Sequence, residues 1–239
     1  MTSLHPSHAK NAVSIITCTK RADCMNTLFN NFNRQKYKDK ELIVILNNKN
    51  LKLNDYLTKA KQYGNISIYS LQDHISLGHC LNFGIGLANH NYIAKFDDDD
   101  YYSPNYLSEG MQTMLRTKAD IVGKRAHYMY LQGRKVLTLR YSNMEHKEVS
   151  IVPGATLLVK RHVFNQITFP NQNQGECVKF CSACIARGFK IYSGSPYNFI
   201  AIRRKNSKDH TWIVSDKVLL ARNVEVVNVK NIRRFVNRS

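Results

Sequence analysis

Strands and helices alternate along the first half of this chain, and that order limits the fold more than any other feature. Val13-Ser-Ile-Ile-Thr17, Leu42-Ile-Val-Ile-Leu46, Ile66-Ser-Ile-Tyr-Ser70 and Tyr92-Ile-Ala-Lys-Phe96 are short runs rich in β-branched or aromatic residues. Runs of that length and composition predict strands. Between them, Met25, Leu28, Phe29 and Phe32 fall at i, i+3, i+4 and i+7, and Leu53, Tyr56, Leu57 and Ala60 repeat the spacing before Gly64. Each set predicts one helix face. Gly78 to Ala88 predicts a third helix, weakened by Gly84 and Gly86. Ser103-Pro104 predicts the N-cap and first position of a fourth, running to about Thr117. A βαβαβαβ order argues for a mostly parallel sheet covered by helices.

The pattern changes after Asp120. Ala126 to Leu131 and Lys135 to Tyr141 flank Gln132-Gly133-Arg134 and predict a hairpin. Ala155 to Val159 and Phe199 to Ile202 predict further strands, and Cys177, Phe180, Cys181, Cys184 and Ile185 mark a helix. The expected organisation is a polar, disordered leader over residues 1–11, one α/β domain over 12–212, and a basic C-terminal tail over 213–239. The domain divides into a nucleotide-binding half, 12–119, and an acceptor half, 120–212.

Composition narrows the class. With 239 residues and 43% hydrophobic content the chain can bury a proper core, which excludes a wholly disordered protein. No apolar run approaches the ~20 residues that cross a bilayer. The six cysteines lie inside apolar patterns in a chain long enough to need no staples, so they read as reduced and cytosolic. The net charge of +18 favours anionic partners. Its spread along the chain argues against sequence-specific nucleic-acid binding. Ten Lys/Arg against three Asp/Glu from Ala201 onward suggest peripheral attachment to an anionic membrane.

The run Asp97-Asp-Asp-Asp100 carries the chemistry. Two unit charges ~5 Å apart repel by roughly 3 kcal/mol at an effective dielectric of 20. Crowded carboxylates at a strand end therefore call for a cation, Lys/Arg partners or raised pKa values. Mg²⁺ or Mn²⁺ suits an all-oxygen site and takes one or two carboxylates together with water and phosphate oxygens. Were the strand to continue, Asp97 and Asp99 would face one side and Asp98 and Asp100 the other. Ligands of open α/β sheets bind beyond the carboxyl ends of strands. Thr17 to Arg21, Asn47-Asn48 and Asp97 to Asp100 end three predicted strands, and side by side they would make one crevice.

These residues resemble a family 2 glycosyltransferase of the GT-A fold over Ala12 to Trp212. Val13-Ser-Ile-Ile-Thr-Cys-Thr-Lys-Arg21 resembles the family's opening strand and donor-binding turn, and Glu41 to Asn48 its second strand. Ser76-Leu-Gly-His-Cys-Leu-Asn-Phe-Gly84 resembles the Gly/Asn segment before the metal motif, and Tyr92 to Tyr102, with Pro104 and Leu107, the Asp-x-Asp block and its helix. Gly154-Ala155, Phe169-Pro170 and Gly175-Glu176 fall where the acceptor segment is expected. Phe199 to Trp212, ending His210-Thr-Trp212, resembles a bacterial subgroup linked to spore-surface and cell-envelope polysaccharides.

The resemblance implies an α/β enzyme with a mostly parallel central sheet and a smaller acceptor-side β region. It implies transfer of a sugar, with inversion, from a nucleotide-diphosphate donor to the hydroxyl of a glycan or other acceptor, aided by Mn²⁺ or Mg²⁺. Asp99, Asp97 and His210 are then the metal residues. Thr17, Thr19, Arg21, Asn47, Asn48, Asn82, Asp97 and Asp98 are the nucleotide-binding residues, and Glu176 is the catalytic base. Two departures stand out. Cys177 occupies the place of the second acid of the late pair, and Asn47-Asn48 stands where the family often carries a uracil-binding Asp.

Cys177, Cys181 and Cys184 coincide with a helical apolar stripe and read as core, not as a metal cluster. A nucleotidyltransferase would share the sheet and the acids but would carry glycines after the first strand, which Thr17-Cys-Thr-Lys-Arg-Ala22 lacks. A degenerate, non-catalytic binder remains the other alternative, because of Cys177 and the charge.

Overall fold

The computed structural model describes residues 11–206 and 213–239. Strands β1 (Val13–Thr19), β2 (Lys40–Leu46), β3 (Ile66–Ser70) and β4 (Tyr92–Lys95) form where the apolar runs predict them. They alternate with helices α1 (Met25–Asn33), α2 (Leu53–Ala60) and α3 (Leu77–Leu87). All three neighbouring pairs, β3–β2, β2–β1 and β1–β4, are parallel. A two-residue strand β5 (Tyr101–Tyr102) and helix α4 (Tyr106–Thr117) follow.

The later chain adds β6 (Ile121–Gly123), β7 (His127–Leu131), β8 (Val136–Arg140), β9 (Lys147–Glu148) and β10 (Leu158–Lys160). Helix α5 (Glu176–Ala186), strands β11 (Ile191–Ser193) and β12 (Phe199–Arg203), helix α6 (Asp216–Leu219), β13 (Val224–Val227) and α7 (Ile232–Val236) complete it. The large sheet runs β3-β2-β1-β4-β10-β6-β11-β9, and a second sheet runs β13-β8-β7-β12-β5.

Period-2 alternation divides the core. Val13 and Ile15 of β1 and Leu42 and Val44 of β2 join Leu28, Phe29, Tyr56, Met111 and Met114 on one side of the large sheet. Ile16, Ile43 and Ile45 join Leu81, Phe180, Cys181 and Cys184 on the other. Strand order reverses at β1, where β2 lies on one side and β4 on the other. That switch point is where a crevice opens beyond the strand ends.

Several sequence expectations change. Helix α4 starts at Tyr106 with Asn105 as N-cap. Ser103 does not cap it, because its Oγ donates to Asn198 Oδ1 at 2.6 Å. Gly154–Thr156 is a 3-10 turn, so the strand expected from Ala155 begins at Leu158, and it runs antiparallel between β4 and β6. On α2 only Tyr56 and Ala60 are buried, while Leu53 and Leu57 face solvent; on α5 Ile185 is also exposed. The leader expected over 1–11 lies outside the described residues up to position 10. The basic segment after 213 is woven into the small sheet. β13 pairs antiparallel with β8, Leu219 of α6 packs on Met129 and Leu131, and Val236 of α7 packs among Tyr101, Tyr128, Leu137 and Ile200.

Candidate active site

The acid run hangs just past β4, which ends at Lys95. The alternation expected of a continuing strand survives as a burial pattern: Asp98 and Asp100 are buried, while Asp97 and Asp99 are partly open. Beneath the run, Phe96 stacks on Tyr102 at 3.8 Å between centroids, and Tyr106 and Phe199 pack edge-on or tilted around that pair. The Tyr102 hydroxyl accepts from the Asp97 amide at 2.7 Å and donates to the Ala155 carbonyl at 2.7 Å. The acids thus stand on a stacked aromatic floor tied down on both sides.

Each carboxylate has its own setting. Asp98 accepts from the Thr19 hydroxyl at 2.6 Å and is gripped by the Arg21 guanidinium, whose Nη1 also donates to Asp99 at 2.8 Å. Thr19 Oγ1 accepts from the Arg21 amide at 3.2 Å, so the turn after β1 is pinned to the acids across the switch point. Asp97 pairs with the buried ammonium of Lys95. Asp100 serves the fold: its Oδ1 accepts from the Ile202 amide at 2.8 Å and its carbonyl from Asn31 at 2.8 Å, which ties β12 and α1 to the loop. Burial, with Arg21 opposing it and Asp98 and Asp97 adding to it, lifts the Asp99 pKa to about 6. Burial also lifts Asp100 well above the carboxylate range.

Glu176 opens α5 and is buried after Gly175, which adopts φ 72°, the left-handed region natural to glycine. The Cys177 thiol donates to Glu176 Oε1 at 3.1 Å. Burial pushes that thiol well above its ordinary pKa, so it stays protonated. Burial also works against the Lys95 ammonium, but Asp97 foremost, with Glu176 behind it, outweighs burial and holds Lys95 charged. A Cβ at Gly154 would collide with Cys177 Sγ and stand 3.6 Å from Lys95 Nζ. Lys95 therefore bridges the acid run and the start of α5.

The structure brings Thr19, Arg21, Asp97, Asp98 and Asp99 together and sets Glu176 nearby through Lys95. Asn47 and Asn48 lie on the same edge: the Asn47 amide donates to the Thr19 carbonyl at 2.9 Å, and Asn48 Nδ2 to the Lys20 carbonyl at 2.8 Å. Asn47 Nδ2 is already spent on the Gln72 carbonyl at 2.6 Å. Thr17 is buried inside β1, opposite Val44, two residues short of the strand's end. The Asn82 side-chain amide is taken by the Phe169 carbonyl (2.8 Å) and amide (2.9 Å), latching α3 to the segment before α5. His210 and Trp212 lie outside the described residues.

Sequence reasoning missed one wall. A cleft of about 680 Å³ opens beside Asp99 and is lined by Asp23, Cys24, Thr27, Gln132, Ile202 and Arg204 among others. Arg204 donates to Asp23 at 2.8 Å, joining the end of β12 to the turn before α1. The arginine pair 203–204 was visible in sequence only as tail charge.

The family model described as glycosyl transferase family 2 matches residues 14–188, which span both the acid run and Glu176. The chain belongs to glycosyl transferase family 2. Among solved structures, this family 2 chain superposes on S. aureus TarS residues 1–349 with a TM-score of 0.63 at 17% identity, covering 80% of this chain and 60% of that one. The same TarS fragment in complex with UDP-GlcNAc gives 0.62 at 16%, covering 81% and 59%. The mannosyltransferase PcManGT from Pyrobaculum calidifontis, in complex with GDP-Man and Mn²⁺, gives 0.62 at 14%, covering 80% and 56%. These likenesses show the GT-A fold. The chain spans about three fifths of the length of those chains. No curated protein sequence matches it.

Proposed function

We propose that this enzyme is an inverting, divalent-metal-assisted glycosyltransferase that takes a sugar from a nucleotide-diphosphate donor. The observation that carries the reading is the Thr19–Arg21–Asp98–Asp99 network, which closes the switch point with acids and one cation while Glu176 waits across Lys95. The donor classes in view are those that the similar structures bind, UDP-GlcNAc and GDP-Man.

Among the described residues no three His, Cys, Asp or Glu side chains gather into a metal cage of their own, so a metal here would rest on two carboxylates and the phosphates of the donor. The Asp97 side chain is 37% exposed with Lys95 on one oxygen, and Asp99 is 10% exposed on the same side of the loop. One or two such carboxylates are what a magnesium-type ion takes from protein when phosphates supply the rest. Asp97 and Asp99 would hold it, with His210 as a third candidate. When bound, it supplies neutralisation of the charge that grows on the departing diphosphate. Arg21 adds a guanidinium beside the same charge. Thr19, Asn47 and Asn48 line the nucleoside end.

Glu176 accepts the proton of the acceptor hydroxyl. The hydroxyl oxygen bonds to the anomeric carbon from the face opposite the diphosphate, which leaves with the electron pair of the broken C–O bond. The Cys177 thiol cannot share the task of base while protonated, so it orients Glu176 instead. An acceptor in bacterial surface or spore polysaccharide is the finer reading, supported by the resemblance of the 199–212 segment.

Calorimetry with UDP, GDP, CDP and dTDP, with and without Mn²⁺, tests the donor half. A metal-dependent rise in affinity for one of them is expected, and Asp99→Ala should abolish it. No metal-dependent binding of any would refute the reading. Glu176→Gln should cut turnover about 100-fold or more while sparing donor affinity, and unchanged turnover would place the base elsewhere.

A further inference from the structure

A cationic cluster on the acceptor half carries no assigned role. Arg125 stacks on the Tyr141 ring with Cζ 3.8 Å from its centroid, and Arg140 Cζ lies 5.4 Å from the same centroid. Two guanidiniums thus share one ring. Neither has a carboxylate within ion-pair distance among the described residues. The acids around the cluster are engaged elsewhere: Asp120 with Lys160 at 3.5 Å, Glu145 with His146 at 3.7 Å, and Glu225, on the strand paired with β8, with the Ser142 hydroxyl. Arg140 makes one weak contact, Nη1 to Met129 Sδ at 3.9 Å, and its Nε is buried with no hydrogen-bond partner. A buried orphan donor is destabilising, and two cations on one ring add repulsion. An incoming anion would relieve both.

Topology places this cluster on the reactive edge. β10 is antiparallel to both β4 and β6, so the carboxyl ends of β4 and β6 lie on one edge of the sheet. Arg125 follows the end of β6 by two residues, as the acids follow β4. β6 stands two strands from β4, ~10 Å at ~4.8 Å per strand. The offset runs away from β1 and β2, hence away from the nucleoside end. Arg140 pairs across the hairpin with His127, and the charge of Arg140 also presses on buried Arg203, which feels Asp99 and Asp100 in turn. Positive charge therefore extends from the acid run into the acceptor half.

We propose that Arg125, Arg140 and Tyr141 form a subsite for an oxyanion, a phosphate or carboxylate group, carried by the acceptor. Guanidiniums donate in a planar fork to such groups, and stacking on Tyr141 holds the Arg125 fork in place. The assignment to the acceptor rests on the glycosyltransferase reading above; the anion site itself does not.

The test follows the Arg Nε–H resonances of ¹⁵N-labelled protein during titration with inorganic phosphate and, separately, sodium glucuronate. Sodium chloride at matched ionic strength is the control. The Arg140 resonance should shift saturably with at least one of the two, and the one that saturates names the oxyanion. Arg125→Gln should weaken that affinity about tenfold, the loss of one charge-assisted hydrogen bond. Arg125→Lys, which keeps the charge but not the fork, should recover only part of it. UDP and GDP affinities should hold in both variants, with unfolding midpoints confirming intact folds. No shift with either anion, or an equal shift with chloride, overturns the site. An equal loss of nucleotide affinity in Arg125→Gln overturns the acceptor assignment and gives the cluster to the donor diphosphate. Failure of every nucleotide to bind would sink the donor reading while leaving the anion titration standing.

Discussion

Lys95 stands between two groups that both favour its charge, the Asp97 carboxylate and Glu176 at the start of α5. Gly154 is what lets them meet, since any side chain there would strike Cys177 Sγ. Gly154→Ala should therefore cost about 1–3 kcal/mol, the usual range for overpacking a closed core, and depress turnover by displacing Glu176; chemical denaturation and initial rates measure the two effects. His127 gives a second test at this scale. Burial pushes its pKa down to about 4, whereas an unfolded chain protonates near the ordinary histidine value of 6.5. Between those values the unfolded state binds the extra proton, so stability is full above about pH 6.5 and falls as the pH drops toward 4. From neutral pH to about pH 5 the loss should be about 2 kcal/mol. His127→Gln should flatten that part of the urea-unfolding profile. The acids and Glu176 were legible in sequence because charge crowding and family spacing single them out. Lys95 was not, because an alternating strand hides which residue turns its side chain back on the loop.

The parallel half of the large sheet was legible at the level of elements: β1, β2 and β4 are largely buried and read as continuous apolar runs, and the half-exposed edge strand β3 reads by alternation, whereas β6, β9 and β11, two or three residues long, carry no periodic signal. Where local signals misled, tertiary bonds had won. Ser103 carries a good cap hydroxyl, yet Asn198 claims it from 95 residues away. Helix α7 shows the reverse failure. Ile232, Phe235 and Val236 sit at i, i+3 and i+4 and pack against the small sheet, but Arg233 and Arg234 between them made the segment read as mere charge. Its role is structural as well: Asn198 donates its amide to the Val236 carbonyl at 3.0 Å and accepts from the Arg238 amide at 2.9 Å. Val236→Asp, which buries a lone carboxylate where exposure is 0%, should destabilise the protein by about 3 kcal/mol or more. Deleting residues 232–239 should expose Tyr101, Tyr128 and Ile200, raising binding of a hydrophobic dye. An unchanged unfolding midpoint in Val236→Asp would show that α7 does not hold the small sheet.

Across the whole molecule the surplus of +18 is distributed unevenly in use. Around the acid run, cations are consumed: Arg21 by Asp98 and Asp99, Lys95 by Asp97, Lys124 by Glu109 at 2.8 Å. On α7 and the residues flanking it, Lys230, Arg233, Arg234 and Arg238 are exposed and have no carboxylate partner among the described residues, and Arg233 and Arg238 lie over the Tyr101 and Tyr197 rings at 5.0 and 4.5 Å. No helix among the described residues is long and apolar enough to cross a membrane, and the charge of this face suits an electrostatic contact. Juxtaposed basic residues gain about 1 kcal/mol each at an anionic leaflet, within a Debye length of about 8 Å at physiological salt. The protein should therefore sediment with phosphatidylserine vesicles at low salt and be released at moderate salt. The triple change Lys230→Gln, Arg233→Gln and Arg234→Gln should weaken partitioning by about 100-fold without altering nucleotide affinity, because these residues are exposed and are not among those that form the acid-run crevice. Retention that ignores both salt and the triple change would mean the surplus serves some other partner.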